Sequence, residues 1–221
     1  MAKEDLLLLD FPLSPFCQRV KIALEEKGIA YKHQEENLFG GKSELLLKSN
    51  PIHQKVPVLL HDGKPICEST IIVQFIDETF PSPPLLPSSS YERSRARFWA
   101  DFIDKKLFES GGSIWKAGGA DELEAAKNEF FEVLKCVEGA LSDKGYFGGD
   151  SFGFLDIIAI AMTNWFPAYE KFGNFKVEDK FPKLSAWIKR CSERISVAKS
   201  LADPQHVIGF VTQMRKMHGL E

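Results

Sequence analysis

The sequence has few cysteines, and none of them lies close to another. Its 221 residues contain four, at Cys17, Cys67, Cys136 and Cys191. A secreted disulfide framework needs several closely spaced cysteines, and most structural zinc sites need them in pairs. The five histidines include no two that are three or four residues apart, the spacing that a helical metal site requires. The sequence therefore predicts reduced cysteines and no bound metal.

An excess of one charge and a long apolar run are also missing. Lys and Arg number 28 against 31 Asp and Glu, which gives a net charge of -3 and no basic stripe for nucleic acid. The first residues are too acidic, and their apolar run too short, for a secretory signal. The longest uncharged helical stretch, residues 157–169, is shorter than the roughly 20 residues that span a bilayer. We expect a cytosolic protein that binds neither nucleic acid nor membrane.

The first third of the chain alternates between strand and helix patterns. Residues 6–11 predict a buried strand, a helix then ends at Gly28, and residues 29–36 predict a second strand. Residues 58–67 predict a hairpin around Asp62-Gly63, and helical spacing returns at Ile72. This order, β-α-β followed by β-β-α, predicts a thioredoxin-like domain with a mixed four-stranded sheet.

A proline-rich segment separates this part from a second one of a different kind. Residues 81–90 break both periodicities, and beyond them the apolar spacing is helical throughout. We therefore predict a thioredoxin-like domain at residues 1–82, a linker at 83–90 and an all-helical domain at 91–221. Clefts between two such domains are favoured ligand sites.

Ser14 stands directly before Pro15 at the start of the first predicted helix. Such a pair is ordinarily a helix cap followed by proline at the first helical position, with no further role. A helix N-terminus also carries free N–H groups and partial positive charge, which favour a bound thiolate. Lowering a thiol pKa by about two units takes roughly 3 kcal/mol, which one hydroxyl hydrogen bond and the helix end could supply together. Local sequence alone leaves both interpretations open.

Two later turns contain residues that suit a peptide ligand. Pro57 opens a strand, and we expect a cis peptide bond there that exposes the backbone of Val56 to an extended peptide. Glu68 and Ser69 begin the next helix and would otherwise be only a strand end and a cap. Beside Val56 they predict a γ-glutamyl site, in which the helix N-terminus binds the carboxylate and Glu68 the ammonium.

These motifs together resemble the plant tau-class glutathione transferases, over essentially the full length of the chain. The segments that carry the resemblance are Ser14-Pro15-Phe16, residues 42–46, residues 50–58, residues 63–66, Glu68-Ser69, residues 97–101, Gly153-Phe154 and Asp156-Ile157. The resemblance implies a homodimeric detoxification and stress-response enzyme that conjugates glutathione to hydrophobic electrophiles. The same thiolate could also reduce organic hydroperoxides.

The resemblance also implies roles for single residues. Ser14 would be the catalytic hydroxyl, and Arg19 and Asp104 would support Glu68 from behind. The residues implied to bind glutathione are Lys42, Lys55, Val56, Pro57, Glu68 and Ser69. The two lysines would neutralise the glycine carboxylate, although lone lysines are usually just solvated surface.

The electrophile pocket is expected to be wide, aromatic and poor in polar groups. Its expected residues are Phe11, Pro12, Leu13, Trp115, Trp165, Phe210 and Met214. Each of them could instead be an ordinary core residue. A wide apolar pocket favours flat apolar substrates and tolerates many of them.

Two departures from the family pattern concern Gly153 and Gln54. Many relatives have Ser or Thr as the helix cap three residues before Asp156, where this chain has Gly153. Asp156 can still cap, and glycine costs only a few tenths of a kcal/mol as an N-cap. Relatives often carry another lysine where this chain has Gln54. The attraction expected for a carboxylate is therefore weaker in this chain.

Two other functions remain as alternatives. One is a non-catalytic carrier of hydrophobic ligands such as porphyrins, auxins or flavonoids. The other is a thioltransferase or dehydroascorbate reductase, because Ser14-Pro15-Phe16-Cys17 is a redox CxxC motif whose leading cysteine is replaced by serine. The attacking thiol of that chemistry is absent, and we expect Cys17 to be buried and inert. An intact Ser14 with a full set of glutathione contacts favours the transferase.

Overall fold

The computed structural model describes residues 5–37, 39–141 and 143–220. Its sheet has four strands, β1 (Leu6–Asp10), β2 (Lys32–Glu35), β3 (Val58–His61) and β4 (Lys64–Cys67), in the order β2-β1-β3-β4. β1 pairs parallel with β2 and antiparallel with β3, and β3 pairs antiparallel with β4. The predicted mixed four-stranded sheet is confirmed. β1 and β2 are shorter than the predicted strands.

Alternate residues of β1 bury opposite faces of the sheet, as the twofold periodicity of a strand requires. Leu6 and Leu8 join the larger core with the helices α1 (Pro15–Glu26) and α3 (Ser69–Thr79). On the other face, Leu9 forms a small separate core, closed by α2 (Glu44–Ser49). The N-terminal part is therefore a three-layered unit, with α1 and α3 on the side that meets the second domain.

The second domain is entirely helical in the described residues. Its elements are α4 (Ser90–Phe102), a π-helical turn (Ile103–Leu107), α5 (Phe108–Lys116), α6 (Ala120–Leu141), α7 (Phe154–Thr163), α8 (Phe166–Gly173), α9 (Val177–Lys180), α10 (Pro182–Ser192), α11 (Ile195–Ser200) and α12 (Pro204–Met217). Every residue of α7 is buried, as its continuous apolar sequence predicts. None of the helices described is long and apolar enough to cross a membrane.

Two helices end earlier than the apolar pattern predicts. The apolar run that begins in α7 continues to Phe166, but the helix ends at Thr163 because Pro167 has no N–H for its carbonyl. The apolar spacing of α10 continues to Ile195, but that residue begins α11, after Arg194 takes an extended conformation. Ile195 is exposed. Apolar spacing alone does not reveal either break.

The linker is bonded to both domains. The Asp77 carboxylate of α3 accepts hydrogen bonds from the amides of Leu85, at 2.8 Å, and Leu86, at 3.0 Å. The Leu85 carbonyl then accepts from the amide of Phe154, the first residue of α7, at 2.8 Å. Both leucine side chains are buried. The segment is therefore a fixed part of the domain interface.

The cap of α7 explains the unusual glycine at its start. Asp156 accepts hydrogen bonds from the amides of Gly153 and Phe147, both at 3.1 Å, and from Trp187 Nε1 at 2.8 Å. The expectation that Asp156 still caps is confirmed, and burial raises its pKa to about 6. A Cβ on Gly153 would lie 2.8 Å from the Leu85 carbonyl oxygen. Glycine therefore allows the linker to approach the helix closely.

Candidate active site

Ser14 is the N-cap of α1, where β1 turns into the helix. Its backbone is extended, its amide donates to the Phe11 carbonyl at 2.9 Å, and its Oγ accepts from the Cys17 amide at 3.4 Å. Pro15 follows as the first helical residue, and the first turn contains no acidic side chain. No acidic side chain of the first turn therefore neutralises the partial positive charge at the N-terminus of α1.

The cap leaves the Ser14 hydroxyl able to donate. A hydroxyl has one hydrogen and two acceptor lone pairs, and the Cys17 amide uses only an acceptor position. The residue is half-buried. Ser14 can therefore cap the helix and donate its hydrogen to an anion at the same time.

Cys17 lies one turn into α1 and is fully buried. Its Sγ accepts from the Phe11 amide at 3.4 Å. Burial raises the pKa of this thiol to about 12, which the hydrogen bond from the Phe11 amide only partly offsets. A thiol in this state is not a nucleophile at neutral pH. The expectation that Cys17 is buried is confirmed, and that it is inert stays a prediction.

The turn before β3 is organised by Asn50. Its side chain accepts from the His53 amide at 3.2 Å and donates to the Lys55 carbonyl at 3.0 Å. The Val56–Pro57 peptide bond is cis, as predicted. Val56 is half-buried and Pro57 is buried.

Glu68 and Ser69 form the start of α3. Glu68 is the N-cap but makes no side-chain cap hydrogen bond, and its φ of 69° is unusual for a residue other than glycine. Its carboxylate is about half exposed and lies 3.9 Å from His53 Nε2. The first turn of α3 contains no acidic residue. This helix end can therefore receive a carboxylate while Glu68 remains available for a cation.

Arg19, in α1, is fully buried and bonds to the start of α3. Its Nη1 donates to Ser69 Oγ at 3.1 Å and pairs with Asp104 Oδ1, and its Nε donates to the Ile158 carbonyl at 3.0 Å. Burial lowers the pKa of Arg19, and the Asp104 carboxylate opposes that shift. Arg19 and Asp104 were expected to support Glu68. Arg19 bonds instead to Ser69, the neighbour of Glu68.

Lys42 and Lys55 are both exposed. Within the described ranges, neither ammonium forms an ion pair. Lys42 lies in the loop between β2 and α2, and Lys55 precedes the cis bond. Both remain available to an anionic ligand.

Four of the predicted apolar residues come together beside Ser14. The ring centroid of Phe210 lies 5.6 Å from that of Phe11 and 6.0 Å from that of Trp165. Trp165 Nε1 donates to the Leu13 carbonyl at 2.9 Å, across the domain interface. Trp165 is buried, so it is both a core residue and a neighbour of the turn that carries Ser14.

The other three predicted apolar residues have different surroundings. The Pro12 carbonyl accepts from Gln18 Nε2 at 3.1 Å, so this residue shapes the turn. Met214 is partly buried against the main core. Trp115 lies at the end of α5, where its ring is 6.0 Å from that of His218. No ring contact joins Trp115 to Phe210 in the part of the chain that the structure describes.

Three residues that lie at the site were not predicted from the sequence. Phe108 packs against Phe16 and Trp165, with both pairs of centroids 5.3 Å apart. Phe39 contacts Phe210, and His53 lies near Glu68. The one sequence signal for Phe39 is that it stands as a single aromatic residue before Gly40-Gly41. Phe108 follows the π-helical turn, which shifts the register of the apolar stripe.

Comparisons with known proteins agree with this geometry. The family model for the glutathione S-transferase N-terminal domain matches residues 8–84, and that for the C-terminal domain matches residues 86–194. A probable glutathione S-transferase of Nicotiana tabacum, parC, is 55% identical over 223 residues, covering 100% of both chains.

Solved structures give the same result. A rice glutathione S-transferase in complex with glutathione superposes with a TM-score of 0.94 at 43% identity, covering 98% of this chain and 99% of its own. A tau-class enzyme from mango superposes with a TM-score of 0.89 at 39% identity, covering 95% and 98%.

Proposed function

The chain belongs to the glutathione S-transferase family and within it to the plant tau class, and from this premise we propose that Ser14 holds the glutathione sulfur as a thiolate. The protein is a transferase that conjugates reduced glutathione, its co-substrate, to electrophiles. The observation that carries the role of Ser14 is its place as the cap of α1, with a hydroxyl hydrogen left to donate.

The proposed step is a substitution at an electrophilic carbon. Glutathione loses its thiol proton to water on binding, and the thiolate is held by the Ser14 hydroxyl and the N-terminus of α1. The sulfur attacks, a carbon–sulfur bond forms, and the leaving group departs with the bonding electron pair. Ser14 exchanges no bond with the substrate and acts by favouring the charged form of the sulfur.

The residues around Ser14 divide into two sets. The glutathione half consists of Ser14, Lys42, Lys55, Val56, Pro57, Glu68 and Ser69. We assign the γ-glutamyl carboxylate to the N-terminus of α3, its ammonium to Glu68, the peptide backbone to Val56 and the glycine carboxylate to the two lysines. Arg19 and Asp104 fix Ser69 from below.

The electrophile half consists of Phe11, Pro12, Leu13, Trp165, Phe210 and Met214, to which Phe39 and Phe108 are added here. Trp115 was also predicted to belong to this half. We keep it only as an outer residue, because it lies at the end of α5 with its ring beside that of His218. Apolar rings around a bound thiolate favour hydrophobic electrophiles.

We further propose the division into residues 1–82, 83–90 and 91–221, and a cytosolic homodimer. The change of architecture across the linker supports the division. Exposed apolar side chains on α3 and α4, at Ile71, Tyr91 and Phe98, support a second copy as a partner. The four free cysteines suit a reducing compartment.

A conjugation assay with 1-chloro-2,4-dinitrobenzene tests the role of Ser14. In Ser14→Ala the helix end remains and only the hydroxyl hydrogen bond to the thiolate is lost, so the thiolate fraction and kcat should fall about tenfold at neutral pH. Spectroscopic titration should show a raised pKa for the bound glutathione thiol. An unchanged rate in the variant, or an inactive unsubstituted enzyme, would contradict the proposal.

Ser89→Ala is the matched control. Ser89 caps α4 in the same way, with its Oγ accepting from the Glu92 amide at 3.5 Å. Both variants should lose about 1 kcal/mol of unfolding free energy through the lost cap. Only Ser14→Ala should lose activity, which separates catalysis from capping.

A further inference from the structure

The loop between β2 and α2 is fastened at its base. The buried Glu36 carboxylate accepts from the amide of Ser43 at 3.0 Å and from its hydroxyl at 2.7 Å. Ser43 in turn caps α2 by accepting from the Leu46 amide at 3.0 Å. The two ends of this loop are therefore held together, and Lys42 lies inside it.

A local turn fixes the direction in which Phe39 leaves this loop. Asn37 Oδ1 accepts from the amides of Phe39, at 3.0 Å, and Gly40, at 2.7 Å. A Cβ at Gly40 would lie 2.4 Å from the Asn37 side chain, and Gly41 has a φ of 110°. A side chain at Gly40 would displace the Asn37 amide that holds the turn, and one at Gly41 would be strained at this φ.

Phe39 reaches the electrophile half from the loop that precedes α2. Phe39 is 59% exposed, yet its ring centroid lies 5.7 Å from that of Phe210 in α12. Phe210 also contacts Phe11 and Trp165. The row of rings thus ends in an aromatic side chain with most of its apolar surface still free to contact a ligand.

We propose that Phe39 is a specificity-determining residue of this transferase, forming the outer wall of the electrophile half and selecting flat polycyclic aromatic electrophiles by ring stacking. The inference rests on the proposed function of the site. A single small ring is bound by Phe11 and Phe210 and does not need Phe39. A fused ring system extends far enough to contact it.

Binding of two glutathione conjugates tests this without depending on turnover. Calorimetric Kd values are measured for S-(1-pyrenylmethyl)glutathione and S-methylglutathione in the full-length protein. Phe39→Ala should raise the Kd of the pyrenyl conjugate about fivefold and change that of the methyl conjugate less than twofold. Phe39→Trp should keep the pyrenyl affinity, because it retains an aromatic face.

A control variant and two possible results of Phe39→Ala decide whether the proposal holds. Ile195→Ala, which truncates an exposed apolar side chain on α11, should leave both Kd values unchanged. An equal change for both conjugates in Phe39→Ala would mean that the loop, with Lys42, has been disturbed, and would overturn the proposal. So would an unchanged pyrenyl Kd. Loss of conjugation in the unsubstituted enzyme, with the Kd pattern retained, would instead count against the role of Ser14.

Discussion

The glutathione half and the electrophile half are built from contacts of different range. Ser14 Oγ accepts from the Cys17 amide, three residues away, and the turn before Pro57 is set by Asn50 within a few residues. The contact between Trp165 and Leu13 instead joins residues 152 apart in the sequence. The turns of the first half are thus set locally, whereas the second half, like the contact of Arg19 with Ser69 beneath the first, exists only once distant segments have packed. The two halves should therefore fail separately.

The largest effect is expected at Arg19, beneath the glutathione half. Arg19→Leu leaves Asp104 without its partner and Ser69 without its donor, so the unfolding free energy should fall by about 3–5 kcal/mol. KM for glutathione should rise at least tenfold, with KM for chlorodinitrobenzene nearly unchanged. Chemical denaturation and steady-state kinetics measure both quantities.

Arg194→Leu is the control for that variant. Arg194 also bridges the domains, through a two-pronged pair with Glu26 at 3.0 and 2.7 Å, but lies away from Ser69. It should lose stability and keep its KM for glutathione. If both arginine variants change that KM equally, the effect belongs to the domain interface in general.

A smaller effect is expected where the linker meets α7. Gly153→Ser would supply the capping hydroxyl that relatives often have, yet its Cβ would meet the Leu85 carbonyl. We expect the unfolding free energy to fall by about 1–3 kcal/mol, because the backbone must shift. Thermal and denaturant unfolding would measure this, and KM for glutathione should not change.

Gly139→Ser provides the comparison, since a Cβ there meets nothing within 4 Å. In the interior of α6 this change should stabilise the protein by a few tenths of a kcal/mol. A stabilised Gly153→Ser variant would show that the linker yields easily, and that the departure at this position has no steric cause.

The smallest effect is expected at Trp165, in the electrophile half. Trp165→Phe removes the hydrogen bond to Leu13 and should cost about 1 kcal/mol of unfolding free energy. KM for chlorodinitrobenzene should rise severalfold and KM for glutathione should stay the same, as steady-state kinetics would show. Trp187→Phe removes an indole bond to Asp156 in the domain core. It should cost more stability and leave both KM values unchanged, and the opposite pattern would contradict the division into halves.

This difference in range explains what the sequence could predict. The sheet, the cis bond before Pro57 and the buried Cys17 follow from local patterns and are confirmed. The roles of Ser14 and Glu68 stay predictions, because a cap and a ligand donor have the same local sequence. Phe39 and Phe108 were missed because their partners come from other parts of the chain. The break before Ile195 was missed because apolar spacing continues across it.

The fastening of Leu85 has a consequence for how substrates enter. Its amide is held by Asp77 in the first domain and its carbonyl by Phe154 in the second, so a single peptide-length segment joins both. These bonds hold the linker to both domains at one residue and so oppose a hinge motion there. Exchange of substrate and product must therefore proceed through local movement of side chains and loops at the mouth of the cleft, and it should be insensitive to stiffening of the proline-rich segment.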